Sequence, residues 1–268
     1  MKVSEMLKDR AFTWLLLIIV LALGLRVARA CIDTGIDKDS VIYLWMAKEA
    51  ASGNIEGAVS LNQRMPPLYI GLMALGEYAG IGAFNTGIAV SIIAGTLLLI
   101  PVFWLGKKLI SERIGLYAAL LVAIHPYLLR LSAEIMRDSL FYLLLITAVA
   151  FAVKAAEKGV LWWIAPGIFT GLATMTRTEG IEIIFAAIIW FLVGVYFAFK
   201  ERNVKFIIRR TFLSVSLLVC SFIVVTVPIQ LLLGGSQSLW GPVDYRISSF
   251  FRGFMNLKAE EVLQKEKH

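Results

Sequence analysis

Charged residues, histidine and cysteine are all scarce in this 268-residue chain. Charged side chains make up 17% of it, whereas about 25% is usual for a soluble domain. The two histidines, His125 and the terminal His268, are too few for a histidine-based zinc site. Cys31 lies near the end of one apolar segment and Cys220 in the middle of another, which argues against a disulfide between them. The composition therefore points away from soluble, zinc-stabilised and disulfide-rich proteins.

Apolar residues are abundant instead, at 59% of the chain, and they form long runs. A helix of about 20 apolar residues crosses the hydrocarbon core of a bilayer, and its backbone must form its hydrogen bonds within the segment. We therefore predict an all-α, polytopic membrane protein with about seven transmembrane helices. The predicted spans are 11–27, 85–106, 114–131, 139–155, 161–175, 181–199 and 211–233. The first also has the basic start of a signal peptide, but the number of later spans favours an uncleaved helix.

The net charge of +7 indicates topology rather than nucleic-acid binding, because the cations lie in short loops between apolar runs. Segment 66–82 is ambiguous. If it does not span, alternate loops collect the basic residues, as the positive-inside rule requires. We therefore predict a plasma-membrane module over 1–233 with a cytoplasmic N-terminus, and an extracytoplasmic tail over 234–268 that is a candidate interfacial helix. The long segment 28–84, with juxtamembrane helices, and the turns 132–138 and 176–179 then share the extracytoplasmic face.

Polar side chains cluster in these outer segments. Asp39 opens a predicted helix that ends near Gly53, with Tyr43 one turn later on the same face. The other clusters are Arg64 before Pro66-Pro67, the turn with Glu134, Arg137 and Asp138, and the turn with Arg177 and Glu179, followed by Glu182.

Each cluster has a structural alternative, such as helix capping, lipid anchoring or an ion pair between helices. Glu182, about one turn inside the next span, is expected to pair with Arg177. A channel or pump would place its charges at mid-membrane. In this chain the charged residues are concentrated at one membrane surface, which favours binding or chemistry at the interface.

The order of these residues resembles a known enzyme family. The residues that carry the resemblance are Arg26, Asp39, Tyr43, Arg64-x-Pro66-Pro67-Leu68-Tyr69, Gly106-Lys107-Lys108, His125-Pro126, Arg130-Leu131-Ser132, Arg137-Asp138-Ser139-Leu140 and Arg177-x-Glu179-Gly180. They are similar to the membrane-embedded GT-C glycosyltransferases, specifically the protein O-mannosyltransferase and aminoarabinose-transferase group (glycosyltransferase family 39). The resemblance covers about 26–180.

The resemblance implies an enzyme that takes a sugar from a polyprenyl-phosphate carrier, which is itself a membrane lipid. The sugar passes, on the outer or lumenal face, to a hydroxyl of an acceptor protein, glycan or lipid. Asp39 matches the general base, which an acceptor hydroxyl needs, and Asp138 matches the second acid. The departing lipid phosphate needs cationic donors. The residues expected to bind substrate are Tyr43, Arg64, Glu134, Arg137, Arg177 and Glu179.

Two departures from the family pattern leave questions open. Many members have Asp-Glu where this chain has Asp39-Ser40, so we assign no metal ligand. Whether the enzyme needs a divalent cation stays open. The chain is also short, so a protein partner could supply missing helices. The alternatives are a non-enzymatic module that binds lipid-linked sugar or scaffolds a glycosylation complex, and a small transporter or flippase with a polar path through His125 and Glu182.

Overall fold

The computed structural model describes residues 3–32, 35–62, 65–198 and 204–232. These ranges are largely helical and contain no strand. The α-helices are α1 Val3–Ile32, α2 Lys38–Ala51, α3 Ile55–Leu61, α4 Pro67–Tyr78, α5 Ala83–Leu97, α6 Leu99–Leu109, α7 Glu112–Ile124, α8 Pro126–Ala133, α9 Asp138–Lys158, α10 Ile164–Thr174, α11 Glu182–Ala198 and α12 Val204–Leu232. Short 3₁₀ turns at Val160–Trp163 and Thr178–Ile181 precede α10 and α11.

Helices occupy all seven predicted spans, which confirms the all-α membrane fold. Five stretches within the described ranges are long and apolar enough to cross a bilayer: Arg10–Ile32, Ala83–Leu109, Asp138–Lys158, Thr178–Tyr196 and Val204–Leu231. The third predicted span is the pair α7 and α8, bent by 57° at His125, and it makes a sixth crossing if the pair is one span. The fifth is the shorter apolar stretch Val160–Thr174.

The 3₁₀ turn Val160–Trp163 and α10 form one short apolar segment that packs closely against α12. A Cβ atom added at Gly167 would lie 2.2 Å from the carbonyl oxygen of Leu218. Only glycine permits such an approach between two helices in a membrane. The 15 residues of Val160–Thr174 rise about 22 Å, so this segment is shorter than the hydrocarbon core.

The bend between α7 and α8 is stabilised by a buried arginine. Pro126 has no N–H, so the carbonyl of Val122 loses its helical hydrogen bond. Arg26 of α1 is fully buried, and its guanidinium nitrogens lie 3.5 Å from the carbonyl oxygens of Val122 and Ala123. Arg26 thus supplies donors where the helix break removes them, and the break directs α8 towards the turn that carries Glu134.

The segment between α1 and α5 folds into three juxtamembrane helices. The cap of α2 is Asp37, whose side chain accepts a hydrogen bond from the N–H of Lys38 at 2.8 Å. The alternative in which Asp39 is the cap is therefore wrong, because Asp37 already fills that position and Asp39 lies in the first turn. The helix ends at Ser52 and Gly53, where Gly53 has φ 86°. Helix α4 has 12 residues and rises about 18 Å, too short to span.

Charged groups separate to the two ends of α9. Asp138 begins this helix and Lys158 ends it. At the Lys158 end, Lys108 pairs with Glu157 at 2.7 Å, and Arg210 donates to the carbonyl of Ala156 at 3.2 Å. Lys108, Lys158 and Arg210 therefore lie at the end of the bundle opposite Asp138. The predicted tail domain, 234–268, lies outside the described residues.

Candidate active site

Hydroxyl groups of two helices hold the turn between α8 and α9. Ser40 of α2 donates to the carbonyl of Ile135 at 3.2 Å, and Ser91 of α5 donates to the carbonyl of Met136 at 3.0 Å. The hydroxyl of Tyr69 lies 3.0 Å from that of Ser91, and burial raises the pKa of Tyr69. These bonds fix the backbone immediately before Arg137 and Asp138.

Three charged side chains form a continuous set across two turns. Arg177 donates one terminal nitrogen to the Asp138 carboxylate and the other to Glu179, the second at 3.0 Å. Asp138 is buried and lies in the first turn of α9, where the helix dipole favours a carboxylate. Burial alone lowers the pKa of Arg177, but the hydrogen bond to Glu179 and the charges of both carboxylates outweigh it and raise that pKa.

The predicted pairing of Arg177 with Glu182 is wrong. The 3₁₀ turn Thr178–Ile181 places Glu179 beside Arg177, whereas Glu182 begins α11 and is exposed. His125, the other residue considered for a polar path, is also exposed. Neither residue lines an interior route in the described structure, so the transporter alternative gains no support from them.

Tyr43 lies beside Arg137 and Tyr69. Its side chain is 1% exposed, its ring packs edge-on against that of Tyr69 at 5.9 Å between centroids, and the Arg137 guanidinium carbon lies 5.9 Å from its ring centroid. Arg137 also approaches the sulfur of Met65 at 3.3 Å. Burial raises the pKa of Tyr43 to about 12, so its hydroxyl stays protonated at neutral pH.

The electrostatic environment of Tyr43 shows which predicted residues converge. After burial, the charges that act on its hydroxyl are those of Arg137, Asp39, Asp138 and Arg177. Asp39 is partly exposed, and no ion pair of its carboxylate is present among the described residues. Four predicted charged residues, from three separate segments, therefore lie close enough to Tyr43 for their charges to act on its hydroxyl.

Glu134, another predicted site residue, pairs with a different arginine. Glu134 is 6% exposed and accepts a hydrogen bond from Arg130 at 3.0 Å, and its second oxygen is buried without a partner in the described part of the chain. A Cβ atom added at Gly35 would lie 3.2 Å from Glu134. Arg64 lies outside the described residues. Sequence reasoning did not predict that Arg130, one helical turn before Glu134, pairs with it.

No group of three or more Asp, Glu, His or Cys side chains suited to a metal ion occurs within the described ranges. The Asp138 carboxylate is bound by Arg177. The described residues thus provide no clustered ligand set for the divalent cation that the sequence left open.

An apolar groove adjoins the charged set. It has a volume of about 620 Å³, and most of its lining comes from α2, α3 and α4. Leu68 and Met175 both line it, and the N–H of Leu68 donates to the carbonyl of Met175 at 2.9 Å. Met175 precedes Arg177 by two residues, so the groove begins next to the charged turn.

A family model described as dolichyl-phosphate-mannose-protein mannosyltransferase matches residues 66–229, more than half of the chain. The chain belongs to this family. The match contains Asp138 and Arg177 and begins after Asp39 and Tyr43. Neither the curated proteins nor the solved structures gave a match. Membership confirms the resemblance seen in the sequence and identifies a membrane glycosyltransferase of the mannosyltransferase type.

Proposed function

We propose that the protein transfers a sugar from a polyprenyl-phosphate carrier to an acceptor hydroxyl at the extracytoplasmic membrane face. The observation that carries this proposal is the arrangement next to Tyr43: Arg137 lies 5.9 Å from its ring centroid, Arg177 is paired with Asp138, and the charges of these residues and of Asp39 act on its hydroxyl. The family description names a dolichyl-phosphate-mannose donor, which supports a polyprenyl phosphate as carrier and mannose as the first sugar to test.

Asp39 is the proposed general base. It takes the proton of the acceptor hydroxyl as that oxygen bonds to the anomeric carbon of the sugar. The bond from this carbon to the phosphate oxygen breaks, and polyprenyl phosphate leaves with the electron pair. Asp138 is buried and already bound by Arg177, so Asp39 is the more accessible acid. A positioned base of this kind contributes about 10²–10⁴-fold to a rate.

Arg137 is the proposed principal contact of the carrier phosphate. Within the described residues its guanidinium bonds to the sulfur of Met65, and a thioether is a weak acceptor. Arg177, in contrast, already donates to two carboxylates. We therefore assign Arg137 to the charge that grows on the leaving phosphate, and Arg177 to orientation of Asp138 and Glu179. Tyr43 is buried, and we assign it to the orientation of the neighbouring charged groups rather than to direct contact with the sugar.

The apolar groove supports a lipid carrier over a water-soluble donor. It is built from juxtamembrane helices and begins beside the charged turn. An isoprenoid chain gains about 25 cal/mol for each Å² of apolar surface that it buries. The groove thus offers the chain a place next to the groups that would bind its phosphate.

The distribution of charge supports the proposed orientation. Lys108 and Arg210 lie at the end of α9 opposite Asp138. Basic loops face the cytoplasm in membrane proteins, and this rule supports an extracytoplasmic position for Asp138 and its neighbours.

Reconstituted protein tests the donor class. The protein is reconstituted in liposomes and supplied with one radiolabelled sugar donor at a time. The donors are polyprenyl-phosphate mannose, the same carrier with other hexoses, and GDP-mannose, and the acceptors are peptides, glycans and lipids. We expect label in an acceptor, and stoichiometric polyprenyl phosphate, from lipid-linked donors only. Transfer from GDP-mannose alone would contradict the proposal. Binding of the lipid-linked sugars without transfer to any acceptor would favour the non-enzymatic module.

A further inference from the structure

A recess lined by arginine and apolar side chains lies at the end of the bundle opposite the candidate site. It sits between the end of α9 and the start of α12 and has a volume of about 340 Å³. Its lining residues are Gly159, Val160, Phe206, Arg209, Arg210 and Leu213. The proposed enzymatic function uses none of them.

One face of α12 supplies most of this lining. Phe206, Arg209, Arg210 and Leu213 follow the i, i+3, i+4, i+7 spacing that places side chains on one side of a helix. Phe206 is 67% exposed, and Leu213 is also exposed. The recess therefore combines two guanidinium groups with uncovered apolar surface.

The two arginines differ in what they already bind. Arg210 donates to the carbonyl of Ala156 at the end of α9. Arg209 is exposed, and no hydrogen bond or ion pair of its guanidinium is found in the described structure. The nearby carboxylate of Glu157 pairs with Lys108 at 2.7 Å. The positive charge of the recess is thus left without a carboxylate partner among these residues.

The recess lies at the depth of lipid headgroups. The span Val204–Leu231 has 28 residues and rises about 42 Å, whereas the hydrocarbon core is about 30 Å thick. Even at the usual tilt of about 20°, the helix is longer than the hydrocarbon core, so part of it extends beyond the hydrocarbon. Because a guanidinium is costly in hydrocarbon, Arg209 and Arg210 mark the end that extends.

We propose that this recess binds the headgroup phosphate of an anionic phospholipid, with an acyl chain against Leu213. Arginine matches phosphate with paired hydrogen bonds, and basic pockets between membrane helices suit anionic headgroups. The proposal is independent of the enzymatic function, because it concerns the membrane face that carries the basic loops.

Thermal unfolding of the full chain in detergent tests the site. Phosphatidylglycerol, phosphatidylcholine or inorganic phosphate is titrated into the native protein, Arg209→Gln and the charge-matched control Lys107→Gln. Lys107 is exposed at the same end of the bundle and pairs with Glu112. Of the three additives, we expect only phosphatidylglycerol to raise the unfolding temperature, both of the native protein and of Lys107→Gln. We expect Arg209→Gln to bind phosphatidylglycerol about fivefold more weakly than the native protein does.

Native mass spectrometry provides a second readout, the number of phosphatidylglycerol molecules retained. At a lipid concentration near the dissociation constant of the native protein, we expect Arg209→Gln to retain fewer of these molecules on average than native protein does. An equal loss in Lys107→Gln would overturn the proposal, since it would indicate diffuse attraction to a basic surface. Equal stabilisation by inorganic phosphate, or no difference between the two phospholipids, would also overturn it.

Discussion

The ion pair between Arg177 and Asp138 joins the turn after α10 to the first turn of α9. Both side chains are largely removed from solvent, at 28% and 12% exposure. The pair therefore fixes the relative position of two segments that are 39 residues apart in sequence. Both charges also act on Tyr43, which places the pair within the candidate active site.

Arg177→Gln is expected to weaken both the fold and transfer. It leaves Asp138 partly buried without its charged partner, which costs about 1–3 kcal/mol. Loss of orientation is expected to reduce the transfer rate at least about tenfold. Arg177→Lys should recover less than half of the loss, because an ammonium cannot bond to Asp138 and Glu179 in the same fork geometry. Denaturant unfolding and the transfer assay measure the two effects, and Lys107→Gln, in an exposed ion pair, should change neither.

Tyr43 is expected to lower the free energy of unfolding as the solution becomes alkaline. Its pKa is about 12 in the folded protein and about 10 in an unfolded chain. Between these values the unfolded state binds fewer protons, so stability is fully present below pH 10 and falls by up to about 3 kcal/mol as pH rises to 12. Tyr43→Phe should lack this part of the fall. Equal pH dependence in both proteins would show that the hydroxyl does not carry the shift.

The groove beside Arg177 should respond to added bulk. Gly71 lines it, and a Cβ atom there would meet nothing within 4 Å, so Gly71→Trp can fold and fill the groove. We expect the KM for a long polyprenyl donor to rise about tenfold, with a smaller effect for a short-chain analogue. Gly24→Trp, in similarly open space on α1, is the matched control. A KM that rises equally for both chain lengths would argue against a carrier in this groove.

Local hydropathy and turn residues were sufficient to predict helices at the apolar runs and the end of α2 near Gly53. The non-spanning α4 was predicted from the distribution of the basic loops, not from its own hydropathy. The fifth predicted span is the shorter apolar stretch Val160–Thr174. The partners of Arg177 could not be predicted, since they follow from how α9 and α10 pack. The alternatives for Asp39 stayed open for a similar reason, because Asp37 is an equally good cap and only backbone geometry distinguishes the two.

Arg26 shows a further limit of sequence reasoning. Its position in the family pattern drew attention, but its contacts with the carbonyls of Val122 and Ala123 depend on the bend at His125. Arg26→Met should reduce the free energy of unfolding by about 1–3 kcal/mol, because buried carbonyls lose their donors. Arg29→Met, one turn later at a less buried position, should cost less. Equal effects in denaturant unfolding would refute the role assigned to Arg26.

The most direct test of the account is sugar transfer by Asp39→Asn beside Glu56→Gln. Both changes neutralise one carboxylate in the first turn of a juxtamembrane helix, and Glu56 is exposed. We expect Asp39→Asn to bind the lipid-linked donor normally and to lose about 10²–10⁴-fold in transfer rate, while Glu56→Gln keeps the native rate. An Asp39→Asn protein that transfers sugar at the native rate would contradict the assignment of the base and with it the proposed mechanism.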